Sequence, residues 1–259
     1  MMKKIILLFI INLVAVTIQA GELTAKADSA YAGKNYVEAV QLYQAEIDSV
    51  GPTSALYYNI GNCYYRMGSQ GRAILNYERA LKMNPRNADA IANLDFINSR
   101  LTDRPGERGS FLDNVGNSIA SVMSANLWAV VGVVAFALVG IGILLYFFVE
   151  NIAVRKIGFF GAGIMLVVVI VSVLFGLRAA SNATATNRAV VLVQSTILST
   201  VPRTPSSSAE EAMMLHEGAV VTILDEVIVT SGDKEIIWLD VEFDNNHRAW
   251  IDASAVERI

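Results

Sequence analysis

The sequence predicts a multidomain membrane protein with an all-α repeat array, a two-helix transmembrane hairpin and a small all-β barrel, in that order. Three observations predict this fold class. A helical pattern repeats itself over residues 21–101, two long uncharged apolar runs follow it, and short β-branched segments separated by turn residues fill the end of the 259-residue chain.

Residues 1–20 have the layout of a secretory signal, in which Lys3 and Lys4 precede an apolar run that ends at Ile18. Ala20 is the small residue expected before a cleavage site, but Ile18 stands where a second small residue is usual. Residues 1–20 are therefore predicted to be either a cleaved signal peptide or an uncleaved signal anchor. Both versions place the chain from residue 21 onward outside the cytoplasm.

The segment Ser54–Asn87 spans 34 residues and resembles a tetratricopeptide repeat. Small residues stand where two helices must approach closely, larger apolar side chains fill the space between them, and Pro85 stops the second helix. The repeat-structural positions are Tyr57, Ile60, Gly61, Tyr64, Ala73, Tyr77, Ala80 and Pro85. A degenerate repeat, Ala20–Thr53, precedes this segment and a capping helix, Ala88–Leu101, follows it. Residues 21–101 are thus the predicted repeat array.

The two apolar runs, residues 127–149 and 157–177, contain no charged residue. As helices they would be about 34 and 31 Å long, enough to cross a bilayer core of about 30 Å. Only Glu150–Lys156 separates them, so they are predicted to form an antiparallel transmembrane hairpin. Arg155 and Lys156 favour a cytoplasmic position for this loop. The predicted location is the inner (cytoplasmic) membrane, with both soluble parts on the extracytoplasmic, periplasmic side.

Residues 102–126 join the repeats to the hairpin. Thr102–Gly109 has the composition of a linker, and Ser110–Asn126 is predicted to be a membrane-proximal amphipathic helix. Its apolar side chains are those of Phe111, Leu112, Val115, Ile119, Val122 and Met123. Three roles stay open for this helix: lying on the membrane surface, extending the first span, or docking the repeats.

A polar linker, Ser181–Asn187, precedes residues 188–259, which are predicted to form a small barrel. The predicted strands are Ala189–Val193, Val220–Leu224, Val227–Thr230, Ile236–Phe243 and Ala249–Ile251. The order of features resembles a bacterial SH3-like domain. The segments that carry this resemblance are the loop Val201–Ser206, the turn Leu215–Gly218, and the strand motifs Trp238–Val241 and Ala249–Ile251.

Composition and spacing argue against catalytic, metal and nucleic-acid sites. Residues 21–105 carry nine Lys and Arg against nine Asp and Glu, and residues 178–259 carry six against twelve, so neither part has the basic surface that nucleic-acid binding needs. His216 and His247 are predicted in turns, without a nucleophile at catalytic spacing. Cys63 is predicted to be a small core residue, with an intermolecular disulfide as the alternative. We therefore expect no enzyme activity, no cofactor, no metal and no small-molecule substrate.

Tetratricopeptide repeats bind partner segments on the concave side, which their first helices line. By family position, the residues of the better repeat that project there are Ala55, Tyr58, Asn62, Tyr65 and Arg66. The two tyrosines offer apolar area with a polar tip, and Asn62 can hydrogen-bond to an extended backbone. Tyr58, Asn62, Tyr65 and Arg66 are the predicted partner-binding site. The alternative is that this face packs on the capping helix or the membrane-proximal helix.

The order of the parts resembles that of the BatE family of aerotolerance operon proteins. The resemblance implies an inner-membrane, non-enzymatic protein that works with von Willebrand-type membrane proteins and a MoxR-type ATPase. The expected function is a membrane-anchored scaffold that binds a partner protein segment outside the cytoplasm, in an aerotolerance or envelope stress complex. The alternative is an envelope-binding module whose SH3-like domain recognises cell-wall peptide through the surface near Trp238 and Trp250.

Overall fold

A computed structural model of the chain describes residues 21–104, 111–231 and 234–259. The predicted signal segment, residues 105–110 of the predicted linker, and Gly232 and Asp233 of the last turn cluster lie outside the described residues. The described part of the chain divides into two compact units. One unit contains the N-terminal helices and the C-terminal sheet, and the other contains the helices between them.

Five helices precede the hairpin region. They are α1 (residues 21–32), α2 (Tyr36–Val50), α3 (Ser54–Arg66), α4 (Gln70–Met83) and α5 (Ala88–Asn98). Side chains cap three of them at the N-terminus, because Asn35, Thr53 and Asn87 accept hydrogen bonds from backbone N–H groups three residues later. The caps and the short connections give the helix–turn–helix arrangement that the repeat pattern predicts.

Two layers of buried side chains hold these helices together. The first lies between α1, α2 and α3 and consists of Ala27, Ala39, Tyr43, Leu56, Ile60 and Cys63. The second lies between α4 and α5 and continues into the sheet; it includes Ala73, Ile74, Leu75, Tyr77, Ala80, Ala90, Leu94, Ile97, Leu101, Val190 and Val220. The repeats and the sheet therefore share one hydrophobic core.

The second unit contains α6 (Phe111–Ala120), α7 (Ala125–Phe148) and α8 (Ile152–Thr184). The connection between α7 and α8 is shorter than the sequence suggested, because the Asn151 side chain accepts hydrogen bonds from the N–H groups of Ala153 and Val154 and starts α8 there. Arg155 and Lys156 consequently lie in the first turns of α8 rather than in a loop.

The other ends of these helices also differ from the sequence-based boundaries. Helix α8 continues past Leu177 to Thr184, so it includes the first four residues of the expected polar linker. Helix α6 ends at Ala120, which leaves Val122 and Met123 in the turn before α7. The apolar face of α6 is thus shorter than predicted.

Helices α7 and α8 pack closely through glycine. A Cβ atom added to Gly142 would lie 2.7 Å from the Gly158 carbonyl oxygen, and one added to Gly158 would lie 2.7 Å from the Gly142 carbonyl oxygen. Such contact between backbones is typical of helices that associate in lipid. Both helices are long and apolar enough to span a membrane, with a mean hydropathy of 2.7 over the best window of each.

The C-terminal residues form a curled antiparallel sheet of seven strands. The strands are β1 (Arg188–Val191), β2 (Ser195–Ser199), β3 (Glu211–His216), β4 (Val220–Ser231), β5 (Lys234–Asp244), β6 (His247–Asp252) and β7 (Val256–Arg258), with a 3₁₀ turn at Ala253–Ala255. Their order in the sheet is β3-β2-β6-β5-β4-β1-β7. This sheet is consistent with an SH3-like domain, and the predicted fold class of repeats, apolar hairpin and small β-domain is confirmed.

The strand boundaries differ from the sequence-based ones. The predicted strands Val220–Leu224 and Val227–Thr230 are one strand, β4, whose pairing with β5 shifts register between Ile223 and Asp225. Strands β2, β3 and β7 were not predicted. His216 ends β3 and His247 begins β6, so neither histidine lies in a turn.

Candidate functional site

The interior of the better repeat is built around the ring of Tyr77. This ring is almost completely buried, and a Cβ atom added to Gly61 would lie 2.7 Å from its Cε1 atom. Gly61 therefore provides the space that the Tyr77 ring fills where α3 and α4 pack together. The repeat-structural residues Ile60, Ala73 and Ala80 are also buried, while Tyr57, Tyr64 and Pro85 are half-buried.

Asn62 belongs partly to this interior. Its side-chain oxygen accepts a hydrogen bond of 2.7 Å from the Tyr77 hydroxyl and one of 3.0 Å from the Asn93 amide. Burial raises the pKa of Tyr77, so the hydroxyl keeps its proton and remains a donor. Tyr58 is half-buried as well, with its ring centroid 5.9 Å from that of Tyr77. Tyr58 and Asn62 are thus half-buried residues on the side of the repeats that the first helices line.

Tyr65 and Arg66 lie at the surface and join residues from the neighbouring helices. The Tyr65 and Phe96 rings meet edge to face with centroids 6.2 Å apart, and the Arg100 guanidinium lies over Phe96, 4.0 Å from its centroid. Arg66 donates a hydrogen bond of 3.4 Å to the Tyr31 hydroxyl, and this bond raises the pKa of Arg66. We call Tyr31, Tyr65, Arg66, Phe96 and Arg100 the open face.

The open face runs across α1, α3 and α5, the first helices of the successive repeats. Phe96 is 44% exposed and Tyr65 is 36% exposed, although both are aromatic. Phe96 and Arg100 lie 34 residues after Asn62 and Arg66, so the repeat period itself assigns them to the same side. The sequence prediction considered the capping helix only as a surface on which this face could pack, so it did not include Phe96 and Arg100 in the site.

The opposite side of the repeats is covered by the sheet, through one stripe of α4. The Gly71 N–H donates a hydrogen bond of 2.8 Å to the Glu217 carboxylate, and a Cβ atom added to Gly71 would lie 2.7 Å from the Val191 carbonyl oxygen. The next turn places Ile74 in the core shared with Val190 and Val220. The stripe consists of Gly71, Ile74, Glu78, Arg79 and Lys82, and we call it the docked face.

Charged groups complete the docked face. Arg188 of β1 contacts both carboxylate oxygens of Glu78, at 3.1 and 2.9 Å. Arg79 contacts Glu257 of β7 at 2.9 Å. The Lys82 ammonium donates to the Ile259 carbonyl oxygen at 2.9 Å. Partial burial lowers the pKa of Lys82, and the positive charges of Arg79 and Arg188 lower it further.

The turn between β3 and β4 makes a further contact with the repeats. Gly218 has a φ of +92°, which favours glycine, and a Cβ atom there would lie 2.9 Å from side-chain atoms of both Ile74 and Leu101. Beside it, the Asp103 carboxylate accepts from the His216 N–H and lies 3.0 Å from the His216 Nδ1 atom. His216 therefore joins the chain after α5 to the sheet.

The remaining groups that sequence analysis considered for chemistry have structural surroundings. His247 contacts the Asp244 carboxylate three residues away, at 2.7 Å. Cys63 is buried between α1, α2 and α3, and burial raises the pKa of its thiol to about 11, which keeps it protonated and unreactive near neutral pH. Within residues 21–104, 111–231 and 234–259, no group of three or more His, Cys, Asp or Glu side chains is arranged to hold a metal ion.

The two tryptophans of the sheet differ in exposure. Trp238 on β5 is 4% exposed, whereas Trp250 on β6 is half-buried. The strand pairing places Trp250 opposite Asp240 and Ser199. Because Trp238 is buried, its ring cannot offer its face to a ligand in solution.

Comparison with known protein families gives one match. Residues 54–87 match the tetratricopeptide repeat family. No significant match to a curated protein is found. The matched segment covers α3, α4 and the turn that follows them, which carry Gly61, Tyr77, the docked face, and Tyr65 and Arg66 of the open face. A tetratricopeptide repeat is a non-enzymatic fold that binds other proteins, so the chain carries a protein-interaction domain beside two helices that are long and apolar enough to anchor it in a membrane.

Proposed function

We propose that this protein is a non-enzymatic, membrane-anchored scaffold whose open face binds a segment of a partner protein outside the cytoplasm. The observation that carries the proposal is that the two sides of the repeats differ in what covers them. The sheet covers the docked face on α4, whereas the open face keeps two aromatic rings and two guanidinium groups at the surface.

The chemistry of the open face indicates what kind of segment it binds. Tyr65 and Phe96 provide apolar contact area, which is the usual anchor of an interface. Arg66 and Arg100 lie one repeat apart, and in the described part of the chain neither guanidinium has a carboxylate within salt-bridge distance. An extended segment with an apolar side chain next to carboxylates fits this surface. Tyr58 and Asn62 would form the floor of the same groove.

The shared core of repeats and sheet supports a single location for both. Two parts that bury Ile74, Leu101, Val190 and Val220 together must lie in one compartment, and two spans between them return the chain to the side it left. The resemblance to the BatE family extends this to the periplasmic side of the inner membrane and to von Willebrand-type membrane partners in an aerotolerance complex. Since Trp238 is buried, binding of cell-wall peptide is not part of the proposal.

Affinity capture with the detergent-solubilised full chain tests the scaffold function. The variant Tyr65→Ala/Phe96→Ala removes the apolar anchors, and we expect it to lose about 2 kcal/mol of binding, roughly thirtyfold in Kd, for any partner that the wild type retains. Gln41→Ala, on the exposed side of α2, is the matched control and should bind normally. Retention of every partner by the double variant would contradict the proposal.

Reporter fusions test the location separately. A reporter that is active only outside the cytoplasm should work when it is inserted after Arg104 and after Arg188, and should fail at Asn151, between α7 and α8. Activity at Asn151 alone would reverse the proposed orientation while leaving the open face as a binding site.

A further inference from the structure

Helix α6 has three chemically different sides. With 3.6 residues per turn, their centres lie about 120° apart around the helix axis. Leu112, Val115 and Ile119 form an apolar side, and all three are exposed within their own unit, at 77%, 39% and 39%. Asn114 and Ser118 form a polar, exposed side. The third side contains Asp113, Gly116, Asn117 and Ala120.

This third side is attached to the hairpin. The Arg178 guanidinium on α8 contacts the Asp113 carboxylate at 3.0 Å and the Asn117 side-chain oxygen at 2.9 Å. Gly116 provides the space, since a Cβ atom there would lie 3.2 Å from Arg178 Cζ. At the end of α6, the Trp128 indole donates a hydrogen bond of 3.1 Å to the Ala120 carbonyl oxygen.

These contacts fix the level of α6 along α8. Asn182 also donates to Asn117, at 3.2 Å, so α6 lies beside the residues that immediately follow the apolar run ending at Leu177. Five residues of helix rise about 7.5 Å, and the headgroup layer on each side of a bilayer core is about 5–7 Å thick. Trp128 lies where tryptophan is enriched, at the boundary of core and headgroups.

We infer that the apolar side of α6 lies in the boundary between lipid headgroups and acyl chains, beside the membrane hairpin. This inference rests on the proposed membrane anchoring by α7 and α8. At the level of Arg178, one side of α6 is taken by α8, and Asn114 and Ser118 can face water. The side formed by Leu112, Val115 and Ile119 then faces the lipid that surrounds α7 and α8 at this level.

The charge of α6 determines the kind of membrane it binds. Helix α6 contains no Lys or Arg, and its acidic residue, Asp113, is paired with Arg178. Helices that depend on anionic lipid carry basic residues on the polar side, so α6 attaches through apolar contact and through its bonds to the hairpin. Zwitterionic lipid is therefore sufficient, and salt has little effect.

Nitroxide depth measurements on the full chain in phosphatidylcholine nanodiscs test this. In a Cys63→Ala background, single cysteines replace Val115, Ile119, Asn114 and Ser118 in turn, with Leu138→Cys on α7 as a probe of the span. We expect the ratio of oxygen to nickel-chelate collision rates to be several-fold higher at 115 and 119 than at 114 and 118. Replacing part of the lipid with phosphatidylglycerol, or adding 1 M NaCl, should leave this contrast unchanged.

The outcomes separate the inference from the anchoring on which it rests. A label at 138 that collides with the nickel chelate as often as a label in water would contradict the membrane span itself. A deep label at 138 with equal ratios at 115 and 114 would overturn the inference alone, as would labels at 115 and 119 that neither oxygen nor nickel reaches, since protein would then cover that side. A contrast that vanishes in 1 M NaCl would overturn the apolar basis of the attachment.

Discussion

The two sides of the helical repeats use similar residues for opposite purposes. On the docked face, Arg79 has a carboxylate partner in the sheet and Ile74 is buried in the shared core. On the open face, Arg66 donates to a tyrosine hydroxyl and has no carboxylate partner among the described residues, and Phe96 keeps almost half of its surface exposed. Arginine and large apolar side chains therefore do not distinguish a binding surface from an internal contact; the presence of a partner within the same chain does.

The contact between the docked face and the sheet also explains how so short a repeat array can be stable. Two repeats and a capping helix bury little apolar surface alone, because each repeat contacts only its neighbours. The sheet extends the array from the side of α4, where Gly71 and Gly218 permit close approach. This leaves the open face uncovered within the unit. An isolated segment 21–105 would expose Ile74 and Leu101, so experiments on function require the full chain.

Substitutions in the interior between the two faces should reduce the stability of the protein most. Gly61→Leu places a side chain where even a Cβ atom would lie 2.7 Å from the buried Tyr77 ring. Overpacking costs about 1–3 kcal/mol and sometimes more, and we expect this variant to lie at the upper end, with loss of both faces. Thermal unfolding of the full chain checks it, with Ala45→Leu on the exposed side of α2 as the control. An unchanged midpoint for the Gly61 variant would refute the close approach of α3 and α4.

The docked face should respond more selectively. Gly71→Leu would push against the Val191 carbonyl oxygen and displace Glu217, so we expect a loss of about 1–3 kcal/mol and separate unfolding of repeats and sheet. Calorimetry distinguishes one transition from two. Gln70→Leu, on the adjacent exposed position, is the matched control. A single, unshifted transition in the Gly71 variant would contradict the close contact between Gly71 and the sheet.

Asn62 defines where the interior ends and the open face begins. Asn62→Ala leaves the Tyr77 hydroxyl without its acceptor, while the Asn93 amide keeps its bond of 3.2 Å to that hydroxyl, and an unsatisfied buried group costs about 1–3 kcal/mol. Tyr65→Ala, at the surface of the same helix, loses only its edge-to-face contact with Phe96 and should cost less, about 0.5–1.5 kcal/mol. Chemical denaturation of both variants measures the contrast. Equal losses would place the two residues in the same environment.

The ion pairs of the docked face should contribute least. Glu78→Gln weakens the contact with Arg188, in which the Arg188 side chain is 44% exposed and the Glu78 side chain 15% exposed. Because solvent still screens the arginine, we expect the pair to contribute about 1 kcal/mol. We expect a small loss of stability that disappears at high salt. Glu22→Gln, which affects an ion pair within α1, should not alter the docking. A loss that persists in 1 M NaCl would indicate that Glu78 has a packing role instead.

The sequence was informative wherever structure depends on short-range pattern. The repeat period places Gly61, Tyr77 and Pro85, because helix pairs of fixed length need small residues at fixed positions. The uncharged runs predict two long apolar helices, because the length and composition of a run are likewise local properties of the sequence. The docked face has no such pattern: Glu78, Arg79 and Lys82 are typical of a solvated helix surface. Gly71 was the available signal, since glycine in a helix costs about 0.8–1 kcal/mol relative to alanine and needs a compensating contact.

The sheet shows where prediction from local sequence preference fails. Strand β3 consists of Glu211–His216, a segment whose Glu, Ala, Met and Leu residues favour helix. It becomes a strand because it pairs with β2, so a non-local contact overrides the local preference. The break predicted between Leu224 and Val227 is a register shift inside β4, where turn-like Asp225 and Glu226 continue the strand.

Photocrosslinking tests most directly whether the open face binds the partner. Benzoylphenylalanine would replace Tyr65, Phe96, Arg79 or Gln41, one at a time, in the full chain within native membranes. We expect a crosslinked partner from positions 65 and 96, an internal crosslink between repeats and sheet from position 79, and none from position 41. A partner crosslinked from position 79, with none from 65 and 96, would contradict the central claim that the sheet covers one side of the repeats and leaves the other for a partner.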